Sequence, residues 1–130
     1  MNNATLDKKN TQQKTGSAKA VVLDFLDALN AEDFATARSK VDDNMVFRGV
    51  MGSRDGADAY FKDMQKMKFK YSTLKAFADG DDVSVFYDID MGSATIFAAG
   101  WYHLKSGKID SIKVLFDPRP LLDAAPKKQD

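Results

Sequence analysis

Apolar and polar positions divide the chain into a helical first half and an alternating second half. From Ser17 onward, Ala18, Val21, Val22, Phe25, Leu26 and Leu29 recur at spacings of three and four, which is one face of an amphipathic helix. Ser17 is placed to cap it with its hydroxyl, and Asn30 closes it. Phe34, Ala37 and Val41 face inward from a shorter second helix. Asp42-Asp43-Asn44 ends that helix, because short polar side chains compete for the backbone and favour turns. Met45 to Val50 reads as a strand. Gly49, Gly52 and Gly56 then frame Ser53-Arg54-Asp55 as a loop into a third helix, from about Asp55 to Lys66. Its stripe is Ala57, Tyr60, Phe61 and Met64, and Asp55 or Ser53 is its expected cap.

The periodicity then changes from 3.6 to 2. Phe69 to Ala78 forms a strand that ends in the hairpin signal Asp79-Gly80-Asp81-Asp82. Val83, Val85, Tyr87 and Ile89 alternate with Ser84, Phe86, Asp88 and Asp90, so the aspartates face solvent. Gly92-Ser93 turns the chain into Thr95 to Lys105. Ser106-Gly107 is a two-residue turn into Lys108 to Phe116. Asp117-Pro118-Arg119-Pro120 stops the ladder, since proline has no amide to donate.

Three helices followed by four antiparallel strands give an α+β domain, with the helices packed in a strongly curved, mainly antiparallel sheet. The late strands are apolar on both faces: Phe97, Ala99 and Trp101 on one, Ile96, Ala98, Tyr102 and Leu104 on the other. Helices cover one face only. A second copy of the chain is the expected cover for the other, making a homodimer.

Composition narrows the chemistry. In 130 residues, nineteen basic and nineteen acidic side chains cancel, with no cysteine and one histidine. Charge balance argues against a nucleic-acid footprint. The missing thiols exclude disulfides, zinc–thiolate sites and thiol nucleophiles, and His103 alone excludes sites needing two imidazoles. No cofactor motif or metal constellation stands out; the glycines at 49, 52 and 56 lack the spacing and the lysine–serine ending of a phosphate loop. No run is long and apolar enough to span a bilayer, and residues 1–16 lack the apolar stretch of a signal peptide, so a cytoplasmic location away from membranes is expected. The domain is expected over 17–122, between polar tails at 1–16 and 123–130.

AKAVVLDFLDALNAEDF, VDDNMVFRGVMGSRDGADAYFKDM and WYHLKSGKIDSIKVLFDPRPL, in this order and spacing, resemble the nuclear transport factor 2-like superfamily and its SnoaL-like branch. The resemblance runs from about Ser17 to Leu122. It implies a cystatin-like cone, in which a curved sheet wraps helices and leaves a pocket at its open end. Fold alone does not settle function. Steroid isomerases of this superfamily use a tyrosine, a basic aspartate and a protonated aspartate. Those positions fall here on Phe25, on or beside Arg48, and near Ala99 or Gly100, so that route is excluded. Related epoxide hydrolases use an aspartate–arginine–aspartate set. Asp90 could supply one member, but the arginine falls on Asp88 and the second aspartate on Val114.

The candidate residues that remain each carry two readings. Thr95, Phe97, Ala99, Trp101 and His103 share a strand face. If it lines the cone, Trp101 is an apolar wall and His103 a general acid/base; otherwise His103 is a solvated residue near a hairpin end. Arg48 would bind an enolate or carboxylate oxygen, or else pair with Asp88, Asp90 or Asp117. Tyr71 and Tyr87 lie on apolar faces and either pack in the core or offer hydroxyls to a ligand. Phe25 and Val114 are expected as apolar lining. Asp117 reads as turn and helix-terminus chemistry. The leading expectation is a homodimer binding a small apolar or weakly acidic molecule, such as a polyketide-like or steroid-like ring, in a pocket rimmed by Arg48, Trp101 and His103. The alternatives are an isomerase, cyclase or hydrolase using His103 as acid/base and Arg48 as oxyanion partner, and a protein-interaction module with a filled pocket.

Overall fold

Local capping chemistry sets where the first two helices begin. The computed structural model describes residues 17–124. The expected N-terminal tail lies outside the described residues, as does 125–130 of the expected C-terminal tail. Helix α1 (Ala18–Asn30) starts where the Ser17 hydroxyl accepts from the Ala20 amide at 3.1 Å, and buries Val22, Phe25, Leu26 and Leu29. Helix α2 (Phe34–Ser39) starts at Asp33, whose carboxylate accepts from the Thr36 amide at 3.1 Å.

Val41, expected on the inner face of that second helix, instead opens strand β1 (Val41–Gly49), fully buried and in register with Ile109. Asp42-Asp43-Asn44 does act as a breaker, but inside the strand. The Asp42 carboxylate accepts from the Asn44 amide at 2.9 Å, and Val46 lies five positions after Val41 where their partners lie only two apart. The result is a bulge that bends β1.

The expected loop at Ser53-Arg54-Asp55 is a short strand, β2 (Ser53–Asp55), antiparallel to β1. Neither Ser53 nor Asp55 caps helix α3 (Ala57–Met67), because both are held in that ladder. Gly56 takes the cap position at φ 93° without a side-chain bond, while its amide donates to the Met45 carbonyl at 2.7 Å.

Strands β3 (Lys70–Asp79), β4 (Asp82–Asp90), β5 (Thr95–Lys105) and β6 (Lys108–Phe116) form the expected antiparallel meander. The Ser106-Gly107 turn places both residues at positive φ, the geometry that matches the twist of flanking strands. The sheet is wider than expected, with order β2-β1-β6-β5-β4-β3, and β1 runs parallel to β6. Further bulges interrupt β3 between Thr73 and Lys75 and the β5–β6 ladder beside His103, and such bulges let a sheet curl. Helix α4 (Arg119–Ala124) follows Asp117-Pro118. The Asp117 carboxylate accepts from the Arg119 amide at 3.0 Å and from its guanidinium, so Asp117 does serve a helix start.

Helices α1 and α3 pack in the concave face. Phe25 meets Phe61 and Tyr102 edge-on, with ring centroids 6.3 and 6.2 Å apart. Val83, Val85, Tyr87 and Ile89 point into this core, as the alternation predicts.

Candidate functional site

The helices leave one end of the concave face unfilled, and a cavity of about 550 Å³ opens there. Its closed end is built from residues with almost no exposure: Tyr87 on β4, Tyr102 on β5, Ile112 on β6 and Tyr60 on α3. Phe47, Val114 and Phe116 contribute apolar wall, and four methionines, Met51, Met64, Met67 and Met91, add adaptable apolar volume. Half-exposed Met51 and Met67 mark the mouth, where Leu121 of α4 also reaches the lining.

All four tyrosines of the chain line this cavity. The Tyr87 and Tyr102 hydroxyls are 2.7 Å apart and hydrogen-bonded to each other. Tyr71 stacks at a tilt on Tyr87, with centroids 5.3 Å apart. Its position is set from α1: the Asn30 side-chain amide donates to the Tyr71 carbonyl at 2.8 Å and its oxygen accepts from the Tyr71 amide at 2.7 Å. Tyr60 is 5% exposed. Among the described residues, neither the Tyr60 nor the Tyr71 hydroxyl has a hydrogen-bonding partner.

Burial pushes all four phenols up: Tyr87 to about 12, and Tyr60, Tyr71 and Tyr102 well above the ordinary value of 10. The phenols also oppose one another's ionisation, which adds to the rise in Tyr60, Tyr71 and Tyr102. At neutral pH the cavity therefore presents uncharged O–H groups. Asp63 is the carboxylate in the lining, and Arg54 Nε holds it at 2.6 Å. Among the described residues, no group of three or more His, Asp or Glu side chains could hold a metal ion, and no helix is long and apolar enough to cross a membrane.

The expected rim of Arg48, Trp101 and His103 does not exist. Tyr71, Tyr87 and Val114 line the cavity, but side-chain alternation on β5 turns Gly100 and Tyr102 inward and Trp101 and His103 outward. On that outer face Trp101 Nε1 donates to Asp82 at 2.9 Å, and Lys113 Nζ sits 4.6 Å from the indole. His103 Nδ1 is 2.7 Å from Asp110, the extra residue of the β6 bulge, and this hydrogen bond raises the imidazole above its ordinary 6.5. Arg48 follows inward-facing Phe47 and points away, pairing with Asp55 at 2.9 Å; this is an ion pair, but with none of the three aspartates expected. Phe25 packs against Tyr102 in the core without lining the cavity.

Tyr60, Tyr102, Gly100 and Asp63 are not among the site residues expected from the sequence. The signal that could have found the tyrosines is parity: each occupies an inward position of its element. Gly100 belongs with them. A Cβ there would collide with the Tyr87 hydroxyl and lie 2.8 Å from Tyr102 Cε1, so only glycine leaves room for the hydroxyl pair.

The family model described as the SnoaL-like domain matches residues 22–112. A solved NTF2-like protein of unknown function from Cytophaga hutchinsonii is 46% identical, covering 85% of this chain and 99% of its own, with a TM-score of 0.81. An LEH-like epoxide hydrolase from M. tuberculosis is 22% identical over 87% of this chain and 91% of its own, TM-score 0.74. A cystatin-fold protein from Novosphingobium aromaticivorans is 15% identical over 75% of this chain and 97% of its own, TM-score 0.69. The last two share the fold. No curated protein matches. By the family match over most of its length, and by its helices held in a curved six-stranded sheet, the chain belongs to the SnoaL-like domain family and has the nuclear transport factor 2-like fold.

Proposed function

We propose that this chain binds a small, mainly apolar molecule in the cone cavity. The observation that carries the reading is a cavity of about 550 Å³ walled by aromatic and aliphatic side chains, with a few hydroxyls at its closed end. That size and that balance of apolar wall to polar points are typical of ligand sites. The catalytic alternative rests on His103 and Arg48, and both lie outside the cavity. An interaction module with a filled pocket is disfavoured by the open volume. The acidic character expected of the ligand rests on Arg48 and drops out, since the cation in the lining, Arg54, is already neutralised by Asp63.

Native mass spectrometry of the purified chain tests the reading. The expected result is a defined small mass that is released on denaturation. It should be absent from Val114→Trp, which fills the cavity. A wild-type chain that carries nothing and takes up no apolar ring compound sinks the proposal.

A homodimer is a second element of the proposal, favoured by the outer sheet face. Phe77, Phe86 and Phe97 form a continuous row, with ring centroids 6.3 and 6.5 Å apart, and Leu115 beside them is 69% exposed. Soluble monomers seldom leave so contiguous an apolar patch open, and a twofold axis lets one patch cover its own copy.

A further inference from the structure

Sulfur in this chain is thioether only, since it has no cysteine, and methionine is therefore its sulfur side chain open to oxidation. The methionines are not scattered. Met45 is fully buried in the core, whereas Met51, Met64, Met67 and Met91 all line the cavity. Within that lining they run from solvent to interior. Met51 and Met67 are 57% and 45% exposed, Met91 is half-buried against the core, and Met64 is 4% exposed. The backbone fixes the two exposed ones at the mouth. Met51 sits in the turn from β1 to β2, closed by the Gly49 amide donating to the Gly52 carbonyl at 2.9 Å. Met67 is the last residue of α3, whose end is held by the Lys68 amide donating to the Met64 carbonyl at 3.0 Å.

A thioether at the mouth is apolar and adaptable, and suits the entry of an apolar molecule. Its sulfoxide is polar, and its oxygen must lose water when such a molecule seats against it. Hydrogen peroxide makes the change in one reaction. The sulfur lone pair attacks a peroxide oxygen, and the O–O bond breaks as the S–O bond forms. The departing hydroxide then takes the proton from that oxygen, leaving sulfoxide and water; sulfur loses two electrons and the peroxide gains them.

We propose that Met51 and Met67 form an oxidant-sensitive entrance to the cavity, at which hydroperoxides lower ligand affinity by converting both side chains to sulfoxides. This rests on the cavity being the ligand site. It adds a regulation of that site, and a reversible one, because methionine sulfoxide is reduced enzymatically.

The test treats the full chain with hydrogen peroxide for graded times. Oxidised positions are read by peptide mass mapping, and tetralin affinity by NMR titration before and after. Met51 and Met67 should each gain one oxygen atom before Met45 or Met64 gains any. Tetralin affinity should then fall about fivefold or more, and methionine sulfoxide reductases for both epimers should restore it. In the Met51→Leu/Met67→Leu double variant the same treatment should leave affinity within about twofold of that variant's own untreated value. Oxidation of Met51 and Met67 with unchanged affinity overturns the inference and leaves the cavity as a ligand site. So does a loss that the reductases do not restore, a loss of equal size in the double variant, or oxidation of Met64 as fast as Met51. An untreated wild-type chain that does not bind tetralin overturns the ligand site and the inference with it.

Discussion

The Tyr87 hydroxyl occupies the space that a side chain at Gly100 would fill. A Cβ there would meet that hydroxyl, approach Tyr87 Cζ to 3.0 Å and Tyr102 Cε1 to 2.8 Å, and strike two rings that the core holds rigid. Gly100 is not at positive φ, so the demand for glycine is one of space. Gly100→Ala should therefore behave as an overpacked core and cost about 1–3 kcal/mol of stability in urea unfolding. A change below about 0.5 kcal/mol would mean the hydroxyl pair is not seated as described.

Removing hydroxyls one at a time should give an asymmetric result. Tyr102→Phe strands the buried Tyr87 hydroxyl, and Tyr87→Phe strands that of Tyr102, so each should cost about 1–2 kcal/mol. Tyr60→Phe takes away a hydroxyl with no partner among the described residues and should stay within about 0.5 kcal/mol of wild type. Urea midpoints of the three variants check this. Similar losses in all three would show that Tyr60 has a structural role in the empty protein.

The strands and helices are legible in the sequence because burial imposes a period on it, and the order of elements follows from that period. Two departures have physical causes. Val41 fits a helical stripe with Phe34 and Ala37 as well as it fits a buried strand start, and only pairing with Ile109 decides between them. Likewise, β2 is three exposed residues, too short to show any alternation. The site is legible in part. Tyr71, Tyr87 and Val114 can be found by face, whereas Trp101 and His103 lie on the side of β5 opposite to the one expected. That strand is apolar at both parities, so the pattern alone does not say which face meets the helices. Tyr102 and Gly100 share the inward parity with Ala98 and Leu104, and a glycine opposite tyrosines is a packing signal that single-residue chemistry overlooks.

The position of His103 outside the cavity has a pH signature. Its hydrogen bond to Asp110 is the main cause of its raised pKa; burial opposes it, and the charges of Asp110, Asp82 and Asp81 add smaller rises. A folded pKa above the unfolded value of 6.5 means the pair stabilises the fold fully below pH 6.5 and loses that contribution as pH rises through the folded value. The stability gap between wild type and Asp110→Asn should thus narrow as pH rises above 6.5. The His103 ring should titrate above 6.5 by NMR in wild type and move down in Asp110→Asn. An unchanged titration would remove Asp110 as the cause.

Ligand affinity should not follow the residues that face outward. Arg48→Ala breaks an ion pair with Asp55 on the rim of β1 and β2, and His103→Ala breaks one on the convex face. Each should leave the binding of an apolar ring compound within about twofold of wild type, since surface pairs of this kind contribute little and neither side chain lines the cavity. A tenfold loss in either variant would return that residue to the site.

The aromatic row on the outer face makes the last expectation a matter of mass. Phe97 is 63% exposed and Leu115 69% exposed, and Phe97 stacks on Phe86 of the neighbouring strand. Placing a charge in such a row should split a twofold interface, because each substitution enters it twice and desolvating an unpaired carboxylate is costly. Sedimentation of the wild-type chain should give a dimer. Phe97→Asp and Leu115→Asp should give folded monomers, with the cavity intact because neither side chain lines it. A monomeric wild-type chain at micromolar concentration would refute the dimer, and the exposed row would then need a different partner.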